Sequence, residues 1–176
     1  MPGKADKSLQ NRAIQGILEQ EKFMVKVLFI CHGNICRSTM AEFVLKDIVR
    51  KNHIEADFYI ASAATSREEI GNGVHRGTLN KLQEMNIPVD KSKRAVQITK
   101  EDYNIYDYII AMDQNNLRNL KRIIPEDTEG KIYRLLDFTD RGGDIADPWY
   151  TGNFDVTYDD ISEGIDGFLK FLRRQS

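Results

Sequence analysis

Residues 25–51, VKVLFICHGNICRSTMAEFVLKDIVRK, carry the clearest structural pattern in the chain. Residues 25–30 are almost all apolar and rich in β-branched side chains, which predicts a strand buried on both faces. After a loop at 31–38, apolar residues recur at the spacing of one helix face: Ala41, Val44, Leu45 and Ile48. The spacing of Thr39 and Glu42 predicts a capping box at the start of this helix, with Ser38 as the alternative N-cap.

The rest of the chain continues to alternate between strand and helix patterns. Further strands are predicted at 58–61, 106–112 and 131–136, and further helices at 75–86, from 99–102, at 113–123 and at 157–173. Asp113 is the expected N-cap of the helix that it begins. Because parallel strands need such crossovers, we predict an α/β fold: a single domain of three α/β/α layers around a central parallel sheet of about four strands.

The composition is that of a globular protein. The 176 residues are 41% hydrophobic and 30% charged, and a net charge of −2 gives no reason to expect nucleic acid or a membrane surface as a partner. No apolar run approaches the roughly 20 residues needed to cross a bilayer, and no secretion signal is visible, so we expect a cytoplasmic protein. Residues 1–23 are interpreted as an N-terminal extension, either disordered, weakly helical or left from cloning, ahead of a domain at 24–176.

The chain has two cysteines, Cys31 and Cys36, and both lie in the loop at 31–38. This count excludes a disulfide scaffold and a cysteine-rich zinc site. The two thiols therefore direct attention to the chemistry of the loop itself.

The loop at 31–38 has the features of a phosphate-binding loop after the first strand. Ligands of open α/β sheets bind beyond the carboxyl ends of the strands, where backbone N–H groups and a helix N-terminus favour an anion. Gly33 and Asn34 tolerate left-handed backbone, and Arg37 supplies a planar fork for two phosphate oxygens. The positive field favours the thiolate form of Cys31, to which Ser38 can donate a hydrogen bond, and such a thiolate is a nucleophile for phosphorus. The alternative is that Cys31 is a small core residue and Arg37 a solvated charge.

A thiolate attack on a phosphate ester also needs an acid for the leaving oxygen, since a phenol has a pKa of about 10. Asp147 is the best candidate, because Pro148 restricts its backbone and stiffens the loop. Trp149 and Tyr150 then supply aromatic walls for a flat substrate ring. The alternative is an ordinary Asp-Pro turn with packed aromatic side chains.

Together these motifs resemble the low-molecular-weight protein tyrosine phosphatases. The nucleophile loop of that family reads Cys-x-Gly-Asn-Ile-Cys-Arg-Ser, and residues 31–38 match it at every specified place. Its acid loop reads Asp-Pro followed by aromatic residues, as at 147–150. Segments at 62–66, 97–102 and 112–113 are also similar, so the resemblance covers about residues 24–176.

The resemblance implies a hydrolase that acts on phosphotyrosine in proteins, and on small aryl phosphates, through a phosphocysteine intermediate. Cys31 attacks phosphorus, Arg37 and the loop amides hold the phosphoryl oxygens, and Asp147 protonates the leaving phenol and then assists water. The phosphate-binding loop after the nucleophile comprises His32, Gly33, Asn34, Ile35, Cys36, Arg37 and Ser38. No metal or other cofactor is implied, and phosphate is the product.

Supporting roles in the loop follow from the same resemblance. Asn34 is expected to hold the unusual loop backbone through a contact with Ser62, and Ser38 to stabilise the thiolate. Cys36 either forms a reversible disulfide with the oxidised Cys31 or only packs beneath the loop.

The chain departs from the family pattern at two informative positions. Glu68 stands where many members have an aromatic residue, so the substrate wall consists of Trp149, Tyr150 and Glu68, and strongly acidic phosphopeptides are disfavoured. Lys93 stands where many members have a His before the Gln-Ile-Thr segment, and it braces the nucleophile loop differently or not at all. His32 fills the variable place of the loop and is expected at its rim.

Three alternatives are weaker. Thioredoxin-coupled arsenate reductases of this fold need further cysteines, and the chain has none after Cys36. Protein arginine phosphatases of this fold tend to have Thr at the place of Ile35, which offers no hydroxyl to a guanidinium group. A non-catalytic phosphopeptide-binding module would be expected to lack the nucleophile or the acid, and both Cys31 and Asp147 are present.

Overall fold

The computed structural model describes Arg12 and residues 24–175, so the extension predicted at 1–23 lies, apart from Arg12, outside the described residues. Four strands of this part form one sheet: β1 (Val25–Cys31), β2 (Phe58–Ala64), β3 (Tyr108–Ala111) and β4 (Ile132–Arg134). Their order is β2-β1-β3-β4, and all three pairings are parallel. The predicted parallel sheet is confirmed.

Helices cover both faces of the sheet. Within residues 24–175 the helices are α1 (Arg37–Lys51), α2 (Arg76–Glu84), α3 (Asp102–Ile105), α4 (Gln114–Leu120), α5 (Pro148–Thr151) and α6 (Phe154–Gln175). Alternate side chains of β1 point to opposite faces, so Val27 and Phe29 belong to one apolar cluster with residues of α1 and α6. Leu28 and Ile30 belong to a second cluster with residues of 103–124. The predicted three-layer α/β/α architecture is therefore confirmed.

The capping box predicted for α1 is wrong. The helix begins at Arg37 after Cys36, and no side chain caps it. The Thr39 hydroxyl instead donates to the Cys36 carbonyl oxygen at 2.9 Å, and Ser38 turns toward the Cys31 sulfur. The tight loop thus uses the polar side chains that an ordinary helix start would use for capping.

The other elements also differ from their predicted ranges at one or both ends, and β4 and α6 are two examples. Strand β4 stops at Arg134 and the chain continues as a 3₁₀ turn, Leu135–Phe138, against which α6 packs. Helix α6 extends beyond its predicted range, 157–173, at both ends. Among the described residues, none of the helices combines the length and the apolar character needed to span a bilayer.

The topology brings one end of the sheet together as a candidate site. β1 has β2 on one side and β3 on the other, so the order of the strands reverses at β1. Cys31 pairs with Ala64 of β2, and Ile30 with Ala111 of β3, so the carboxyl ends of these strands are level. Ligands of open α/β sheets bind at such a switch point.

Gly167 tests the close packing of α6 against the turn after β4. A Cβ at this position would overlap the backbone carbonyl of Phe138, which cannot rotate away. Gly167→Ala is therefore expected to lower the free energy of unfolding by about 1–3 kcal/mol, although alanine ordinarily favours a helix. The measurement is urea unfolding.

Gly73→Ala is the matched control, because its added methyl would meet only an Arg94 nitrogen, at 3.5 Å. Its free energy of unfolding should stay within about 0.5 kcal/mol of the wild-type value. A neutral or stabilising Gly167→Ala would contradict the packing described.

Candidate active site

The loop between β1 and α1 folds around the Cys31 sulfur. Cys31 is the last residue of β1 and is buried. Its Sγ lies 3.0 Å from Ser38 Oγ and accepts a hydrogen bond from the Asn34 backbone N–H at 3.3 Å. A thiolate at this position therefore has two hydrogen-bond donors within reach.

Asn34 holds the loop in a left-handed backbone conformation, with φ at 58°. Its side-chain Nδ2 donates to Ser38 Oγ at 2.8 Å and to Ser62 Oγ at 2.9 Å, and its Oδ1 accepts from the Val96 backbone N–H at 3.2 Å. Asn34 is only 1% exposed, so these bonds are made away from water. The side chain thereby links the loop to β2 and to the segment near 96.

A buried acidic residue supports this network from behind. Ser62 Oγ donates to Glu42 Oε1 at 2.6 Å, and the other Glu42 oxygen accepts from Lys46 Nζ at 2.7 Å. Lys93 Nζ lies 3.7 Å from Glu42 Oε1 and donates to the Ser62 carbonyl oxygen at 2.9 Å. Lys93 therefore braces the loop through Ser62, without touching the loop itself in these contacts. Sequence patterning assigned Glu42 to a capping box and did not reveal this role.

Burial of Lys93 lowers the pKa of its ammonium group below its ordinary value, although the Glu42 carboxylate opposes the shift. A buried charge of this kind is tolerated only with a partner, and Glu42 supplies that partner. The pair thus connects the segment before 96 to helix α1.

Arg37 is the first residue of α1, and its side chain is 2% exposed. Nη1 donates to Asp113 Oδ2 at 2.6 Å and to the Ile145 carbonyl oxygen at 2.8 Å, while Nη2 donates to Asp147 Oδ2 at 3.3 Å. Burial lowers the pKa of Arg37, but the Cys31 sulfur, Asp113 and Asp147 outweigh burial and raise it above its ordinary value. The guanidinium group therefore stays charged.

Asp113 has two roles, of which the sequence indicated one. Its Oδ1 accepts from the Asn116 backbone N–H at 2.7 Å and caps α4, as expected for an N-cap residue. Its second oxygen anchors Arg37. No sequence spacing could indicate this second contact, because it joins the start of α1 to the end of β3.

Asp147 and the two aromatic residues after it form the other side of the site. Asp147 caps the short helix α5, with Oδ1 accepting from the Trp149 N–H at 3.0 Å while Oδ2 faces Arg37. Trp149 and Tyr150 are exposed, and the Trp149 ring meets His75 edge-on at a centroid distance of 5.6 Å. The Asp-Pro segment therefore holds a carboxylate beside Arg37 and presents aromatic surface to solvent.

One cavity collects most of the predicted site residues. Cys31, Arg37 and Asp147 all line it, together with Trp149 and Tyr150 and with other residues of the loop. Glu68 and Glu69 complete the lining. Asn34, Ser38 and Ser62 are buried outside the lining and support the loop from behind. The arrangement can bind an oxyanion beside a sulfur nucleophile, with a carboxylate in reach of a leaving group.

Cys36 also lines the cavity, but it is buried against Ile35 and Ala95. Burial, followed by the Cys31 sulfur, raises the pKa of the Cys36 thiol to about 12. Both cysteines are free thiols. Cys36 therefore remains protonated at neutral pH.

The chain matches the model of a known family over residues 26–176, described as low molecular weight phosphotyrosine protein phosphatase. It is 36% identical over 154 residues to the low molecular weight protein-tyrosine-phosphatase YfkJ of Bacillus subtilis, covering 86% of this chain and 98% of the relative. The crystal structure of YfkJ superposes with a TM-score of 0.82 and covers 87% of this chain and 97% of that one.

Two other solved structures are also similar. SP-PTP, a low molecular weight protein tyrosine phosphatase from Streptococcus pyogenes, is 44% identical with a TM-score of 0.75 and covers 85% of this chain and 93% of its own. DARP, the drosophila arginine phosphatase, is 29% identical with a TM-score of 0.76, and the match covers 84% of this chain and 98% of that one.

The protonated state of Cys36 can be tested by alkylation with iodoacetamide, which reacts with thiolates. A shift from 9.0 to about 12 reduces the thiolate fraction at pH 8 by about a thousandfold, so Cys36 should remain unlabelled in the folded protein. Peptide mass spectrometry measures the labelling, and the same reaction in guanidinium chloride should label Cys36 and serves as the control. Rapid labelling of Cys36 in the folded protein would contradict the burial described.

Proposed function

The chain belongs to the low molecular weight phosphotyrosine protein phosphatase family, and we propose that it hydrolyses phosphotyrosine in proteins through a phosphocysteine intermediate on Cys31. The observation that carries this proposal is the cavity lined at once by the Cys31 thiol, the Arg37 guanidinium and the Asp147 carboxyl group. A nucleophile, an anion-binding fork and a proton donor in one cavity are what phosphoryl transfer to sulfur requires.

In the first step, the Cys31 thiolate attacks phosphorus, so that a sulfur–phosphorus bond forms and the bond to the phenolic oxygen breaks. Asp147 in its protonated form gives its proton to that oxygen, and the neutral tyrosine leaves. Substrate binding prepares this step, because the phosphate competes for the Arg37 Nη2 hydrogens that Asp147 Oδ2 accepts in the free protein. The released carboxyl oxygen is then available to carry the proton.

In the second step, water attacks the phosphocysteine. Asp147, now a carboxylate, accepts a proton from the water, the sulfur–phosphorus bond breaks, and phosphate and the Cys31 thiolate are regenerated. Asp113 and the Ile145 carbonyl hold Arg37 in both steps, so the guanidinium fork needs no reorganisation as charge moves onto the phosphoryl oxygens.

The cavity also favours a flat aromatic ester over other phosphates. Trp149 and Tyr150 provide exposed aromatic surface beside Asp147, and a phenyl ring can pack on such surface. Ile35 presents an apolar side chain to the same cavity and has no hydroxyl to pair with a guanidinium group. Phosphotyrosine-containing proteins are therefore the proposed substrates. The proposed location of the enzyme is the cytoplasm, as expected from the sequence.

A reversible disulfide between Cys31 and Cys36 remains a further part of the proposal. An oxidant such as peroxide would convert the Cys31 thiolate to a sulfenic acid, and the Cys36 sulfur would displace water from it. The raised pKa of Cys36 opposes this step, because the thiol must lose its proton to attack. Disulfide formation is therefore expected to be slower than at an ordinary exposed thiol pair.

The mechanism is tested by aryl phosphate hydrolysis at mildly acidic pH with Cys31→Ser and Asp147→Asn. Cys31→Ser should reduce kcat to near background, since the hydroxyl is a far weaker nucleophile. Asp147→Asn should lower kcat by about 10²–10⁴-fold, most strongly for esters of the least acidic phenols. Substantial activity in Cys31→Ser would rule out the sulfur nucleophile.

Asp144→Asn is the matched control for Asp147→Asn. Asp144 lies in the same loop outside the cavity and accepts from the Gln114 N–H at 2.9 Å, a bond that an asparagine oxygen preserves. Its kcat should stay within about twofold of the wild-type value. An equal loss in both variants would mean that loop structure, and not proton transfer, explains the effect.

The substrate class is tested by comparing phosphotyrosine with phosphoarginine in otherwise identical peptides. Ile35 and the aromatic walls predict at least a tenfold higher kcat/KM for phosphotyrosine. A higher kcat/KM for phosphoarginine would contradict the proposed substrate class and would instead indicate an arginine phosphatase, as the drosophila relative is named.

A further inference from the structure

Two carboxylates are held at the mouth of the cavity by the phosphate-binding loop itself. His32 Nε2 lies 2.9 Å from Glu68 Oε2, and the Ser66 N–H donates to the His32 carbonyl oxygen at 3.1 Å. Glu69 packs its side chain on Gly33, where an added Cβ would stand 3.2 Å from Glu69 Cγ. The segment at 66–69 thus lies directly on the loop, and its charges lie at fixed places.

The position of Glu68 makes it accessible to a substrate. Its side chain is 70% exposed although it is paired with His32, which is itself 43% exposed. Asn72 Nδ2 donates to Glu69 Oε2 at 2.6 Å, which orients the second carboxylate. Both residues line the cavity that holds Cys31.

The cationic groups in the described lining do not balance these charges. They are Arg37, which already pairs with Asp113 and Asp147, and His32, which faces Glu68 and leaves Glu69 without a cationic partner in the lining. Arg67 is exposed but does not line the cavity. The mouth therefore carries negative charge, whereas the phosphate-binding interior carries the donors for an anion.

Resting on the proposed function, we infer that Glu68 and Glu69 form an acidic rim that selects phosphotyrosine in a basic sequence context. The phosphate enters past the rim, and the residues that flank the phosphotyrosine remain over it. Arginine or lysine at these flanking positions pairs with the rim carboxylates, and aspartate or glutamate is repelled. The occupant is a phosphotyrosine peptide with cationic neighbours.

The size of the effect is limited by solvent. Ion pairs at an exposed rim are screened by salt within about 8–10 Å at physiological ionic strength, and single exposed pairs are weak. Two carboxylates acting on one peptide should give roughly a three- to tenfold preference in kcat/KM at low salt. The preference should shrink at high salt, which separates it from a steric effect.

The test compares two phosphotyrosine peptides that differ only in the residues flanking the phosphotyrosine, lysine in one and glutamate in the other. The ratio of their kcat/KM values is measured at low ionic strength and in about 0.5 M NaCl. Wild type should prefer the lysine peptide three- to tenfold at low salt, and the ratio should approach one at high salt. A low-salt ratio of one or below would overturn the acidic rim.

Variants of Glu68 identify the source of the preference. Glu68→Gln keeps the size of the side chain and an acceptor for His32, and it should reduce the ratio at least twofold. Glu68→Lys should reverse it toward the glutamate peptide. Ratios equal to wild type in both variants would overturn the assignment to Glu68.

Glu55→Gln is the charge-matched control. Glu55 is exposed and precedes β2, at the end of the sheet away from the cavity. The ratio of kcat/KM values for the Glu55→Gln variant should therefore equal that of wild type. If Glu55→Gln reduced the kcat/KM ratio as far as Glu68→Gln does, the preference would come from the net charge of the protein. That result would overturn the proposed acidic rim. Failure of wild type to hydrolyse either peptide or a small aryl phosphate would instead reject the proposed function, which keeps the two failures distinct.

Discussion

The rest of the site depends on the side-chain amide of Asn34. A non-glycine residue with φ at 58° is conformationally unfavourable, and the surroundings must compensate for it. Three hydrogen bonds do so, to Ser38, Ser62 and the Val96 backbone. The same conformation turns the Asn34 N–H onto the Cys31 sulfur, so the bend that costs energy also supplies a hydrogen-bond donor to that sulfur.

Buried charges then fix the position of this bent loop in the fold. Glu42 and Lys93 are drawn together behind Ser62, and Arg37 is held by Asp113. Removing Glu42 would leave Lys93 without its carboxylate partner in a poorly solvated place, a loss that costs about 3–5 kcal/mol. The pairs join α1 to the segment near 93 and to the end of β3, so the loop cannot shift without disturbing several elements at once.

The interior of the cavity and its mouth use electrostatics for different purposes. Inside, Arg37 is buried and paired with Asp113 and Asp147, and in the proposed mechanism these groups bind the phosphate and assist its transfer. At the mouth, Glu68 is largely exposed and is held by a partner that belongs to the loop. Screening makes charges at the mouth weak, but it leaves them able to discriminate between peptides that bind the same phosphate site equally well.

Local pattern alone determined the strand–loop–helix at 25–51, the alternation that builds a parallel sheet, and the identity of Cys31, Arg37 and Asp147 as candidates. These features depend on residues close in the chain, where apolar periodicity and the chemistry of a short loop are visible. Only the tertiary structure decided that Asp113 anchors Arg37 and that His32 holds Glu68. It also decided that Glu42 contacts Ser62 instead of capping a helix, and that Lys93 reaches the loop through Ser62. Each of these contacts joins residues separated by 20 or more positions. A polar side chain far from its partner in sequence reads as an ordinary cap or surface charge, because its partner is chosen by how the strands and helices pack.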